Sequence, residues 1–400
     1  VNRIRRAGLV SAMLLSAIVA VPVGAATPAD TPAVVGWTST WLGDVQREIC
    51  VEWFGLSDCA RSGGLAADGA EGTIVWVNHV DSEFGDPDFA VYQRTDDAWS
   101  TNWTFPYPFV TALDAPPATW DPVMSQQGRT LDVVYQKVGS AKPIHVRRST
   151  DLGATWAPAK RLPPAWGVMT NLAIDRGPGG VVAVAVAGWD EVAHPGPQQG
   201  IVLRVSTDGG ATFPRVREFG WRGAMCAPYG FDPQVAVLRG GVIVLAYWRT
   251  CTKLVVQRSS DKGRTWSAPT TLSTGTHELG MALAANGDTA VLAYTAGGAT
   301  LTRRSTDRGK TWSAPVNAGS GATSLRLTYG GGAWRLVAGG TDRIRYRSSS
   351  NGLGWSDGET VFESIGARTY AIGAAYGTTP QAAFVIRTPD KTWSLYVATR

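Results

Sequence analysis

Ser149-Thr-Asp-Leu-Gly-Ala-Thr-Trp156 is met again as Ser206-Thr-Asp-Gly-Gly-Ala-Thr-Phe213, Ser259-Ser-Asp-Lys-Gly-Arg-Thr-Trp266 and Ser305-Thr-Asp-Arg-Gly-Lys-Thr-Trp312. The physical logic is that of a hairpin turn: the Asp carboxylate accepts backbone N–H groups, the Gly takes a positive φ, and the closing aromatic plugs the sheet beside it. Degraded copies lie at Arg94-Thr-Asp-Asp-Ala-Trp99 and Ser349-Ser-Asn-Gly-Leu-Gly-Trp355, with a vestige at Pro389-Asp-Lys-Thr-Trp393. On this reading Asp151, Asp208, Asp261 and Asp307 are structural residues.

Upstream of each copy runs an alternating strand (residues 144–148, 201–205, 254–258 and 300–304), and before that a hairpin such as Ala282–Ala293 around Asn286-Gly287-Asp288. Each unit is therefore a four-stranded antiparallel sheet. Such a sheet cannot bury both faces alone; packing radially about an axis solves this while leaving only short edges. The interval of roughly 45 to 57 residues suits a propeller blade. Units opening near residues 64, 130, 171, 232, 280, 324 and 369 make an all-β propeller of seven blades, or six if one unit is misread. The last has only three evident strands, so Gly36–Cys50 is expected to supply its outer strand. Composition agrees: 47 Gly and 17 Trp in 400 residues, with 44% hydrophobic and 17% charged, suit short strands and tight turns around a large core.

Arg3, Arg5 and Arg6, an apolar run from Leu9 to Val23, and small residues around Gly24-Ala25-Ala26 read as a secretory signal over residues 1–26, cleaved rather than retained as a membrane span. Residues 27–60 then form an N-terminal segment carrying the closing strand, and 61–400 the propeller. Loss of the three arginines lowers the formal charge of +5 by three, and no basic cluster with interleaved aromatics points to nucleic acid. In an exported chain the even count of Cys50, Cys59, Cys226 and Cys251 suits two disulfides, Cys226 with Cys251 across the open end of a hairpin and Cys50 with Cys59. Their spacing does not suit zinc, and neither a metal nor a cofactor is expected. The four histidines (His79, His145, His194, His277) are scattered, with no nucleophile elbow.

The S-x-D-x-G-x-T-W copies resemble the Asp box of bacterial neuraminidases and the wider sialidase superfamily, at the level of repeats from Arg61 to Arg400. The resemblance implies three arginines clamping a substrate carboxylate, a tyrosine nucleophile suited to an anomeric carbon that already bears a carboxylate, and a loop Asp as acid/base. Arg61 before Gly72-Thr-Ile-Val-Trp76 resembles the first arginine's setting. Asp86, with Asp81 behind it, resembles the acid/base. Asp232-Pro-Gln-Val running on to Tyr247-Trp-Arg249 is similar to the Glu-Pro hairpin that ends in the second arginine, with a carboxylate one methylene shorter. Arg343, with Arg326 as fallback, fits the third, and Tyr370 in Arg368-Thr-Tyr-Ala-Ile resembles the nucleophile's setting.

Each residue has a plainer reading: a loop arginine at Arg61, turn formers at Asp81 and Asp86, a strand-opening turn at Asp232, strand residues at Arg249 and Arg343, a packing aromatic at Tyr370. Three readings follow. One is a secreted retaining exo-glycosidase acting on acidic glycans. The second is a non-catalytic propeller binding glycan or protein at its mouth or through Trp37, Trp41, Trp166, Trp189 and Trp221. The third is a lyase on uronic-acid polysaccharide using His79 and His277-Glu278. A monomer is expected.

Overall fold

Segments such as Val182–Ala187, Val242–Tyr247 and Ala290–Tyr294 are apolar along their whole length and sit at or near zero exposure. A strand reads this way when both faces of its sheet are covered, and here every sheet is packed between two others. The computed structural model describes residues 36–45, 64–68, 71–78, 89–95, 107–108, 119–137, 143–163, 168–190, 198–222, 232–250, 252–275, 280–374, 379–387, 389 and 393–400.

Five sheets are four-stranded antiparallel meanders whose first strand is innermost. The first holds β2 (Gly64–Asp68), β3 (Glu71–Asn78), β4 (Phe89–Thr95) and β5 (Tyr107–Pro108). The second holds β6 (Thr119–Gln127), β7 (Thr130–Lys137), β8 (Ile144–Ser149) and β9 (Lys160–Leu162). The third runs β10 (Val168–Arg176), β11 (Val182–Asp190), β12 (Gln198–Ser206), β13 (Arg215–Arg222). The fourth runs β14 (Gln234–Leu238), β15 (Val242–Thr250), β16 (Lys253–Ser259), β17 (Thr270–Thr274), and the fifth β18 (Met281–Asn286), β19 (Thr289–Ala296), β20 (Ala299–Ser305), β21 (Val316–Ser320). The unit expected to open near residue 130 opens instead at Thr119, because Trp120-Asp-Pro122 and Gln126-Gln127 interrupt the apolar alternation of its inner strand.

The remaining sheet has seven strands, ordered β1-β27-β26-β25-β24-β23-β22. They are β22 (Ser324–Gly330), β23 (Ala333–Gly339), β24 (Thr341–Ser349), β25 (Glu359–Ala374), β26 (Gln381–Arg387), β27 (Trp393–Thr399) and β1 (Thr38–Val45). The 16-residue β25 serves twice: its first half pairs with β24 (Ile344 opposite Phe362) and its second with β26 (Tyr370 opposite Val385). The sheet is therefore two four-strand units in succession, the second completed by β1, whose Thr38 lies opposite Thr399.

Apolar clusters fill each seam in turn. Ala66 and Leu131 meet between the first and second units, Val134 and Val184 between the second and third, Ala185 and Val235 between the third and fourth. Trp248 and Leu292 join the fourth to the fifth, Val291 and Leu336 the fifth to the sixth, Tyr346 and Phe384 the sixth to the last. Ile74 and Leu395 return the last unit to the first. The seams thus close into a ring, a β-propeller whose traced pairing runs through seven units. Each fully buried Val, Leu or Ile in a seam contributes roughly 1.5–3 kcal/mol. At the axis the inner strands approach so closely that a Cβ on Gly64 would lie 2.6 Å from Met124 Cβ.

Cys50, Cys59, Cys226 and Cys251, and the signal at residues 1–26, lie outside the described residues. Among the described residues no helix is long and apolar enough to cross a membrane.

Candidate functional site

The four Asp boxes fold alike. In the second unit Ser149 Oγ donates to Asp151 Oδ1 (2.6 Å) while accepting from Gly153 N (2.7 Å), and Thr155 donates its N–H to Oδ1 (2.9 Å) and its hydroxyl to Oδ2 (2.6 Å). The same bonds recur around Asp208, Asp261 and Asp307. The Ser206 and Thr212 hydroxyls, with the Thr212 N–H, hold the Asp208 carboxyl well below the usual range, and the Thr265 hydroxyl and N–H do so at Asp261. At Asp151 and Asp307 desolvation pushes upward, but the Ser and Thr donors outweigh it and leave each at about 2. In the degraded copy Asn351 Oδ1 accepts from Leu353 N and Gly354 N, so an amide does part of the same work.

Each box also latches its neighbours. The residue after the Asp takes a left-handed conformation (φ 55° at Leu152, 59° at Arg308), which aims its N–H at the turn between its unit's first two strands: Leu152 N to Arg129 O at 2.8 Å, Arg308 N to Asp288 O at 2.9 Å. The box glycine presses on the preceding unit, where a Cβ on Gly309 would stand 2.5 Å from Val244 Cγ2. The arginine before a box serine reaches the next box, as Arg258 Nε to Arg308 O (2.7 Å) and Arg304 Nη1 to Asn351 O (2.9 Å). None of the four boxes lines the axial cavity; they tie the ring together.

The cavity lies on the axis, about 400 Å³ in volume, walled by inner strands from every unit. Towards the ends where those strands begin, its wall includes Asn171, Asp232, Gln234 and Arg326; towards the box end it includes Gln126 and Asp175. Asp232 adopts φ 36° and accepts from Gln234 Nε2 at 3.3 Å. Arg326 donates Nε to Ile372 O (3.0 Å) and Nη1 to Leu325 O (2.8 Å), which fixes its guanidinium against the wall.

At the box end Asp175 joins three units. Its Oδ1 accepts from Ser125 Oγ (3.0 Å) on one side and its Oδ2 from Val237 N (2.7 Å) on the other. Burial pushes this carboxyl up to about 6, against the opposing pull of those donors and the Arg176 charge. Behind it Asp132, fully buried, takes Arg148 Nε (2.8 Å) and Arg176 Nε, while Arg176 Nη2 donates to Gly209 O (3.0 Å). Gln126 spans the first two inner strands through Ala67 N and Ala67 O. None of Asp175, Asp132 or Gln126 was marked out by the sequence. The one available signal was a carboxylate, Asp175, closing the otherwise apolar run Leu172-Ala-Ile174.

Of the described residues expected to form a clamp and nucleophile, Asp232 and the fallback Arg326 line this cavity, and Tyr370, Arg249 and Arg343 do not. Tyr370 is 2% exposed, packed with Leu65, Ile74 and Val385 in the seam between the last unit and the first. Arg343 pairs with Glu363 Oε1 at 3.0 Å on the neighbouring outer strand, and Arg347, four residues on, donates to Ser356 O. Arg249 is exposed near the end of β15, where its charge opposes the burial that raises the Tyr247 phenol to about 12. Trp37 is buried, donating to Glu359 Oε2 at 3.3 Å. His145 stacks on Tyr135. Arg61, Asp81, Asp86, His79, His194, His277 and Trp166 lie outside the described residues. Among the described residues no three His, Cys, Asp or Glu gather as a metal site requires.

Solved structures share this architecture. Trypanosoma rangeli sialidase aligns at 14% identity with a TM-score of 0.50, covering 85% of this chain and 54% of that one. A mutant of that sialidase displaying trans-sialidase activity aligns at 13% identity and a TM-score of 0.50, over 93% of this chain and 60% of its own. The chain therefore spans little more than half the length of these trypanosomal proteins. A protein of unknown function from Dyadobacter fermentans aligns at 15% identity and a TM-score of 0.48, over 70% of this chain and 94% of that one. A comparison with curated protein sequences finds no match. The model of the BNR repeat-like domain matches residues 76–316, more than half of the sequence, and the chain belongs to this BNR repeat-like family.

Proposed function

We propose that the protein is a sialidase-like propeller that recognises acidic glycans at its axial mouth by binding, without turnover. The observation that carries this reading is the dispersal of the expected machinery. Tyr370 is in a seam and Arg343 on β24 is ion-paired to Glu363 of the outer strand, whereas Arg326, Asp232, Asn171 and Gln234 line one axial cavity. Catalysis tolerates little misplacement of reacting groups, while a binding pocket needs only convergent polar groups on an apolar wall. Amide and carboxylate groups suit sugar hydroxyls, and the Arg326 guanidinium suits a sugar carboxylate. The N-terminal Arg3-to-Ala26 pattern supports an extracellular setting, where such glycans are displayed. The lyase reading rests on His79 and His277-Glu278, which lie outside the described residues.

The test is calorimetric titration of the full chain with sialyllactose, digalacturonate and lactose. The two acidic sugars are expected to bind and lactose to bind at least tenfold more weakly, since a charge-assisted hydrogen bond contributes about 1.5–3 kcal/mol. Arg326→Gln should erase that difference and Arg326→Lys retain part of it. Equal affinity for acidic and neutral sugars, or no binding to any, would overturn the reading.

A further inference from the structure

The Asp boxes are near-identical turns, so any difference among their variable positions stands out against a constant background. The residues flanking the box glycine are Leu152 and Ala154 in the second unit and Gly209 and Ala211 in the third. In the fourth and fifth they are Lys262 and Arg264, then Arg308 and Lys310, and all four are exposed. Lys262 and Arg308 hold φ of 59°, the conformation that Gly209 adopts without strain. Leu152 has a packing reason to accept it, being fully buried. Lys262 and Arg308 take the same box-set conformation with their side chains in solvent.

These side chains form one strip. Both lie over the turn Arg239–Gly241 of the fourth unit: a Cβ on Gly241 would be 2.9 Å from Lys262 Cγ, and one on Gly240 would be 3.7 Å from Arg308 Nη1. Arg239, 70% exposed, joins them, its N–H bonded to Gly287 O of the next unit's turn. The acids nearby offset the strip only in part: Asp261 and Asp307 stay ionised among their own box donors and Asp288 pairs with Arg239 and Arg308 at 3.7 Å, three negative charges against the five of Arg239, Lys262, Arg264, Arg308 and Lys310.

We propose that the box face of the fourth and fifth units is a docking strip for a linear anionic polysaccharide, held by Arg239, Lys262, Arg264, Arg308 and Lys310. Cations repeated at successive turns suit a polymer with repeated negative charge. Their concentration in the fourth and fifth boxes, where the second and third carry none at the same positions, suits a chain rather than a sheet of lipid headgroups, which would meet the uncharged boxes as well. The strip is distinct from the axial cavity and does not depend on it.

The experiment measures binding of the full chain to immobilised heparin and polygalacturonate across a salt series. One variant is Lys262→Gln/Arg264→Gln/Arg308→Gln/Lys310→Gln. A second removes the same charge from outer strands, Lys160→Gln/Arg161→Gln/Arg217→Gln/Lys253→Gln. The first should bind at least tenfold more weakly, with a salt slope shallower by up to about one per cation removed, while the second stays close to the parent. Equal loss in both variants, no loss in the first, or binding to phosphatidylglycerol vesicles but to neither polysaccharide would overturn the proposal.

Discussion

At Asp208 on the rim, a carboxylate collects the Ser206 and Thr212 hydroxyls and the Thr212 N–H within six residues of chain. At Asp175 on the axis, a carboxylate collects Ser125 Oγ from 50 residues upstream and Val237 N from 62 residues downstream. The first lies well below the ordinary carboxylate range, because local donors outweigh any desolvation. The second is raised to about 6, because burial outweighs two donors and an arginine. One residue type does opposite work in the two places. The rim is built from what is adjacent in sequence, the axis from what the ring brings together.

The largest effect expected on the rim comes from its glycines. Gly309→Ala combines a left-handed backbone at φ 80° with a methyl 2.5 Å from Val244 Cγ2 in a packed seam, and should cost about 2–4 kcal/mol by denaturant unfolding. A loss under half of that would mean that the seam yields and the box is not a rigid latch.

Next is the pH profile at the axis. A carboxyl at about 6 when folded, against an ordinary 3.8, binds its proton more tightly in the native state. Its contribution is therefore fully present below pH 4 and is lost as pH rises to 6, by up to about 3 kcal/mol. Asp175→Asn should flatten that limb in a stability profile between pH 4 and 6. Parallel profiles for parent and variant would remove the distinction between axis and rim. The box carboxylates have the opposite sign: their stabilisation holds above pH 4 and fades as pH falls towards 2. Asp261→Ala, which strands the Thr265 N–H and hydroxyl, should cost about 1 kcal/mol at neutral pH and less in acid. An unchanged midpoint would mean that water replaces the carboxylate there at no cost.

The same contrast explains what was legible in the sequence. The boxes are local, so their turn, their glycine φ and their aromatic plug could be read directly, and with them the repeated four-stranded sheets of a sialidase-like propeller. The inner strand of the second unit was missed because Trp120-Asp-Pro122 breaks alternation while the ring still covers both its faces. Asp175 and Gln126 were illegible because each is defined by partners in other units. Tyr370 shows the converse. Its setting along the chain resembles a nucleophile's, yet alternation on β25 turns its ring into the seam with Leu65 and Ile74.

The direct test of binding without turnover is release of a fluorescent aglycone from a sialoside by the full chain. The account predicts no release above the uncatalysed rate, with sialyllactose still bound. Release by the parent that is lost in Tyr370→Phe, with folding intact, would contradict it.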